Sequence, residues 1–261
     1  MMKKEYIYIE ETDSTNRFLH DYQSAGEEMT IVYTDFQTAG RGQGTNHWES
    51  ERGKNITFSI LTHPREVLIT KQFILSMAGG LAIKEVLDTY TEGITVKWPN
   101  DIYWHDKKIS GTLIETAVSG KCINNCIFGV GININQRQFL SDAPNPVSLY
   151  QILGRETDRM EVLEKIVDRF DEELSLLQEG GSEAVRQRYL QALYRREGFH
   201  EYIDKDGLFK ARLQTVEDDG HLVLEREDGR LSAYAFKEVQ FKVGQCACSY
   251  RRWAACSAAS P

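Results

Sequence analysis

No stretch of this chain of 261 residues is apolar for long enough to cross a bilayer, so a membrane-spanning helix is not expected. The start, Met1 to Glu10, has basic residues but no apolar h-region, which excludes a secretory signal of the usual kind. Basic residues are outnumbered, 31 against 39 acidic, and the formal charge of -8 argues against generic nucleic-acid binding. Cysteines number only five, an odd and sparse set that excludes a disulfide framework. Cys122 and Cys126 lie at even spacing in a predicted strand and read as packed, reduced thiols. Cys246, Cys248 and Cys256 fall in the tail without a zinc pattern. Together these absences predict a cytoplasmic protein. No internal repeat or low-complexity domain is visible.

What remains is an ordinary apolar content, 41 %, in a chain long enough for one large and one small domain. Strands are predicted over Tyr6 to Glu10, Thr30 to Phe36 and Asn55 to Thr62. A helix capped by Asp13 or Ser14, with Phe18, Leu19 and Tyr22 on one face, is expected to end at Gly26. A second, from Lys71 to Tyr90, carries Gly79-Gly80 inside it, which weakens it or permits a close crossing. Ile94 to Trp98 reads as a strand stopped by Pro99. A meander of Ile102 to Trp104, Ile109 to Val118 and Cys122 to Ile134 follows. Asp142 to Val147 reads as a loop. Asp158 to Gln178 is the clearest helix. Its apolar residues Leu163, Ile166, Val167, Phe170, Leu174 and Leu177 recur at helical spacing, its charges read as a solvated face, and Asp158 with Glu161 resembles a capping box. Ser182 to Leu193 is another helix.

After about Gly198 the texture changes. Asp206-Gly207, Asp219-Gly220 and Asp228-Gly229 are hairpin signals between short alternating runs, which predicts a small antiparallel β-domain. The division expected is therefore 1–195, 196–243, and an aperiodic Ala/Ser-rich tail, 244–261, outside the fold.

The densest chemistry lies at 37–55. Gly40, Gly42 and Gly44 let backbone N–H groups approach a ligand, Arg41 adds a fork of donors, and Trp48 offers a flat face. A flexible surface loop with a stray arginine reads equally well from this segment alone. Two further segments carry polar residues among glycines. One runs from Val96 to Glu115, with Lys97-Trp98-Pro99-Asn100-Asp101 and Lys107-Lys108-Ile109-Ser110-Gly111. The other is Phe128-Gly129-Val130-Gly131-Ile132-Asn133.

In order and spacing these segments, preceded by Asp13-Ser14-Thr15-Asn16, resemble biotin protein ligases from about residue 5 to about 195, and more weakly to about 243. The resemblance implies an α+β fold: a mixed sheet flanked by helices, like class II aminoacyl-tRNA synthetase catalytic domains, with a small C-terminal SH3-like β-barrel. It implies an ATP- and Mg2+-dependent reaction. Biotin is activated as biotinyl-5'-AMP and then transferred to a lysine of a biotin carboxyl carrier domain, by a monomer or homodimer. The implied biotin contacts are Ser14, Thr15, Asn16 and Gln37, with Gly40, Gly42, Gly111, Gly129 and Gly131 allowing close approach. Ser14 could equally be a plain helix cap. Arg41 and Lys108 are implied to meet the carboxylate and α-phosphate, and Lys107 reads as surface.

Trp48, Asn55 and Asn133 are implied to contact adenine, although Trp48 could be a core aromatic. Lys97 and Asn100 belong to the same turn as Asp101, which either orients or deprotonates the acceptor lysine or helps hold Mg2+. Many relatives carry a second arginine where this chain has Gln43, which lowers the charge held against the intermediate unless Arg52 or Lys54 supplies it. Some relatives also carry an N-terminal DNA-binding domain. About a dozen residues before Asp13 leave no room for one, so a monofunctional ligase is expected. The alternatives are a lipoate–protein ligase of the same fold and a non-catalytic biotin-binding regulator.

Overall fold

The computed structural model describes residues 2–24, 28–44, 46–141 and 145–242. Part of the 142–147 loop and the whole tail lie outside them, and the first helix stops at Asp21, well short of the expected Gly26, because the backbone turns extended at Tyr22. Strand β1 (Lys3–Thr12) runs through helix α1 (Thr15–Asp21) into β2 (Glu28–Gln37), and the two strands pair in parallel. A helical crossover is what parallel neighbours require. All other pairings between its strands are antiparallel, so the first sheet is mixed. It has seven strands in the order β1-β2-β3-β7-β6-β5-β4, with β3 at Ile56–Thr62, β4 at Ile94–Lys97, β5 at Asp101–Trp104, β6 at Lys107–Ser119 and β7 at Cys122–Ile132. Pro99 lies between β4 and β5, as a residue without an N–H must when it interrupts a strand.

Two cores clamp this sheet. On one face lie α2 (Phe73–Asp88), α4 (Arg159–Gln178) and α5 (Ser182–Ala192), packed on Phe58, Phe128, Val130 and Ile132. Gly79 explains how α2 gets so close. A Cβ there would lie 2.0 Å from Phe128 Cζ, so the phenyl ring rests directly on the helix backbone. On the other face Leu19 of α1 packs on Val32, Leu61 and Ile127, and the rest of that face is left for the cleft described below.

Asp158 caps α4 by accepting from Met160 and Glu161 N–H groups at 2.8 and 3.3 Å. Glu161 instead holds Lys165 at 2.5 Å. A complete capping box does occur, at the unexpected short helix α3 (Leu149–Leu153), between Ser148 and Gln151. The charged residues of α4 are not all solvated. Asp171 and Glu173 are buried, the first taking Lys4 Nζ at 3.2 Å and the second Arg188 at 2.5 Å. A buried carboxylate needs such a partner, and the helical period alone does not reveal that it has one. Cys126 is a free, buried thiol, and desolvation pushes its pKa up to about 12.

The second sheet is antiparallel, in the order β11-β10-β9-β8-β12, built from β8 (His200–Asp204), β9 (Gly207–Val216), β10 (Leu222–Arg226), β11 (Leu231–Tyr234) and β12 (Gln240–Phe241). Its three Asp-Gly turns fall where expected, with φ of 114°, 95° and 83° at Gly207, Gly220 and Gly229. The small sheet docks beside the large one. Trp98 Nε1 donates to Gly220 O at 2.9 Å, and Arg195 donates to Glu201 O and Lys242 O at 3.2 and 2.8 Å.

Candidate active site

Strand register assembles the site. Lys97 sits opposite Asp101 across β4 and β5, Asp101 opposite Gly111 across β5 and β6, Gly111 opposite Gly131 across β6 and β7, and Gly131 opposite Thr57 on β3. Residues paired across a sheet point to the same face, so three distant sequence motifs become one continuous row. Two residues further along lies the row of Leu113, Gly129 and Ser59. These two rows, with Ser59 buried beneath the surface, floor a cleft of about 960 Å³. Its walls come from α1, the 41–48 loop, the turn between β4 and β5, and the segment 236–241 of the small sheet.

One end of the cleft is lined by neutral, cross-bonded side chains, with the Glu115 carboxylate behind them shared between Asn16 and Arg41. Ser14 caps α1, its Oγ accepting from Arg17 N at 3.5 Å, and it also lines the cleft, so both readings of it hold. Gln37 Oε1 accepts from Thr15 N at 2.8 Å and Thr15 Oγ1 at 3.1 Å. Ser59 Oγ lies 2.7 Å from Thr15 Oγ1 and 2.6 Å from Asn16 Oδ1, and its single proton can serve only one of them at a time. Asn16 Nδ2 donates to Glu115 Oε2 at 2.6 Å and Leu113 O at 3.3 Å. Gly129 makes room for this cluster, since a Cβ there would fall 2.1 Å from Asn16 Oδ1.

The other end is cationic. Lys108 Nζ pairs with Asp101 Oδ1 at 2.6 Å, across the β5–β6 register shift. Lys97 lies over the rings of Tyr103 and Phe241, at 5.1 and 5.0 Å. Burial lowers its pKa, an effect that the nearby Asp101 carboxylate opposes. Asn100 ties the turn to β6: its side chain donates to Thr112 O, and its carbonyl accepts from Thr112 N at 3.1 Å. Arg41 is exposed, with Nη2 3.7 Å from Glu115 Oε1. Arg52 pairs with Glu11 and Lys54 lies 3.5 Å from Glu156, and neither lines the cleft.

Trp48 spans the two ends. Its indole lies on Gly131, where a Cβ would come 2.3 Å from Cε2, and Lys108 Nζ lies 5.9 Å from the ring. Its Nε1, like Gln43 Oε1, is buried without a hydrogen-bond partner among the described residues. Both are polar groups facing the cleft with bonding capacity to spare.

Of the residues singled out in the sequence, Ser14, Thr15, Asn16, Gln37, Arg41, Gly42, Gln43, Trp48, Lys97, Asn100, Asp101, Lys108, Gly111, Gly129 and Gly131 all line the cleft. Gly40, Asn55 and Asn133 stand behind it. Gly40 packs under Trp48, its absent Cβ 2.9 Å from Trp48 O. Asn55 is buried, donating to Gln136 at 2.5 Å and accepting from Ile134 N at 3.0 Å. Asn133 donates to Val147 O at 3.0 Å. Sequence reasoning passed over Ser59, Glu115 and the 236–241 segment. Ser59 did give a signal, as the lone serine in the otherwise apolar-flanked and wholly buried strand Ile56–Thr62.

The matching family model, over residues 8–133, is the biotin/lipoate A/B protein ligase family. The chain is 28% identical over 258 residues to the bifunctional ligase/repressor BirA of Bacillus spizizenii, covering 90% of this chain and 74% of that one. It is 29% identical to the biotin–acetyl-CoA-carboxylase ligase of Mycobacterium tuberculosis over 61% of this chain and 60% of the relative. The fold matches the biotin protein ligase from Aquifex aeolicus solved with biotin and ATP, with a TM-score of 0.75 at 28% identity, over 90% of this chain and 97% of that one. Over residues 8–133 in sequence, and over nine-tenths of its length in fold, the chain is thus similar to biotin protein ligases.

Proposed function

We propose that this cleft activates biotin with ATP as biotinyl-5'-AMP and passes the biotinyl group to a lysine of a biotin carboxyl carrier domain. The observation that carries this reading is the joining, over one glycine-floored cleft, of an end lined by neutral hydrogen-bonding side chains to a cationic end. Biotin has the same polarity. Its ureido ring needs donors and acceptors at once, which Thr15, Asn16, Gln37 and Ser59 offer by exchanging bonds they now make with each other. The dithiolane of lipoate could take none of these bonds, which disfavours it by leaving buried polar groups less well served.

The carboxylate then falls towards Lys108, Arg41 and Lys97. In the first step a carboxylate oxygen bonds to the α-phosphorus, the bond to the bridging oxygen breaks, and pyrophosphate leaves. Fixed cations offset the repulsion of two anions brought together. Mg2+ would travel on the ATP phosphates. Asp101 is the one carboxylate among the described residues that line the cleft, so the protein offers no cage for the ion by itself. Trp48, with its free Nε1 and flat face, is suited to cover the nucleotide.

In the second step the acceptor lysine must be neutral to attack the carbonyl carbon and displace AMP. In the free protein Lys108 occupies Asp101. Once Lys108 turns to the carboxylate and phosphate, Asp101 is released to take the proton from the incoming ammonium.

Incubation with ATP, Mg2+, a carrier domain and equal biotin and lipoate, followed by mass measurement of that domain, tests the reading. A single biotinyl addition is expected. Addition of lipoate in preference to biotin, or none while biotin still binds, would replace it with one of the two rivals.

A further inference from the structure

The 41–48 loop is poor in charge. Among its described residues only Arg41 is permanently cationic, and Gln43 and Asn46 are neutral. One more cation reaches this loop from far along the chain. Lys237 lies in the turn between β11 and β12 and lines the cleft together with Gln43 and Asn46. Its Nζ would be 2.6 Å from a Cβ on Gly44, so the ammonium rests against the loop backbone where only glycine leaves space. Lys237 has no carboxylate partner among the described residues, whereas Lys108 and Arg41 face Asp101 and Glu115. Its backbone has a φ of 74°, a conformation that glycine or asparagine adopts more readily. The turn is nevertheless well held: Glu238 N donates to Ala235 O at 3.1 Å, and Ala235 N donates to the Glu238 carboxylate at 2.8 Å. A lysine in this geometry, beside the neutral Gln43 and Gly44, 5.7 Å from the Phe236 ring centre and without a carboxylate partner among the described residues, has charge to offer an anion in the cleft.

We propose that Lys237 of the small C-terminal sheet supplies the phosphate-binding cation that the loop lacks at Gln43, holding the phosphates of the bound nucleotide from the opposite wall. The proposal rests on the ligase reading for the identity of that nucleotide, and it makes the small sheet a part of the ATP site.

The test has a binding arm that does not depend on turnover. The ATP dissociation constant is measured by calorimetry with the non-reactive alcohol analogue of biotin in the cleft, and the apparent KM for ATP by pyrophosphate release. Lys237→Ala is expected to weaken ATP binding about tenfold and Lys237→Glu further, with Lys237→Arg close to native. Biotin affinity without ATP should not change. Adding Gln43→Arg to Lys237→Ala should restore most of the ATP affinity, because a charge returns to the same phosphates from the other side. A change of less than twofold for Lys237→Ala overturns the proposal. So does an equal loss of biotin affinity, which would mean a general disturbance of the cleft or a contact with the carboxylate. Failure of the ligase reading would show separately, as absence of biotinyl-AMP from the native protein, while the ATP constants of the variants would still decide the role of Lys237.

Discussion

At one end of the cleft Thr15, Asn16 and Ser59 are buried and already bonded to one another. At the other Arg41 and Lys237 are exposed, and Lys108 is held by a single carboxylate. The first end is rigid before any ligand arrives. A ligand there replaces bonds of equal kind and gains by shape and by matching donors to acceptors. The second end stores charge that is screened by solvent or by an internal partner, and becomes strong only when the cleft closes on phosphate. On the proposed reading, recognition of the ring and chemistry on the carboxylate fall to residues of opposite physical character, gathered over the same two rows of strands.

The difference can be pressed hardest at Lys108. Lys108→Ala removes a charge needed most in the transition state, and steady-state pyrophosphate release should fall about a hundredfold, in line with about 3 kcal/mol for such a contact. Biotin binding should change far less, and the thermal transition should stay cooperative. Gly129→Ala attacks the other end. Its new Cβ must displace Asn16, and overpacking of this kind costs about 1–3 kcal/mol. A lowered melting temperature together with a marked loss of biotin affinity is expected, by calorimetry.

Milder still is Gln37→Ala, which strips Thr15 of an acceptor without filling space. At about 0.5–1.5 kcal/mol for a neutral hydrogen bond, biotin should bind several-fold more weakly while the catalytic rate at saturation holds. The gentlest probe is salt. Raising ionic strength should weaken ATP binding progressively and leave biotin binding almost unchanged, because only the cationic end is screened. Equal salt dependence of the two would erase the distinction drawn between the ends.

Much of this was legible in advance, and the pattern of what was not is physical. Asp-Gly turns, the α4 period and the Asp158 cap are local, so a short window of sequence contains their cause. Register is not local. Nothing in the sequence states that Lys97, Asp101, Gly111 and Gly131 fall in one row, and only their resemblance to a family brought them together. Asn55 and Asn133 were placed at the nucleotide by that same resemblance, yet here they brace the backbone behind the cleft. Asp171 and Glu173 were read as solvated because periodicity cannot see an arginine or lysine arriving from another element. Lys237 is the extreme case. Its significance depends on Gly44, almost two hundred residues away, and no pattern on its own hairpin distinguishes it from a surface lysine.

The ring of Phe128 seated on Gly79 also sets a dimension. Phe128 is followed along β7 by Gly129, which faces the other way, so the helix backbone, the phenyl ring, the strand and the cluster around Asn16 form one stack through the thickness of the molecule. That stack works as a caliper. The gap left for the ligand is measured from α2 outwards, and a single methyl group at position 79 would be transmitted through an incompressible ring to the opposite face. The depth of the binding groove is therefore written in a helix that never touches what the groove holds.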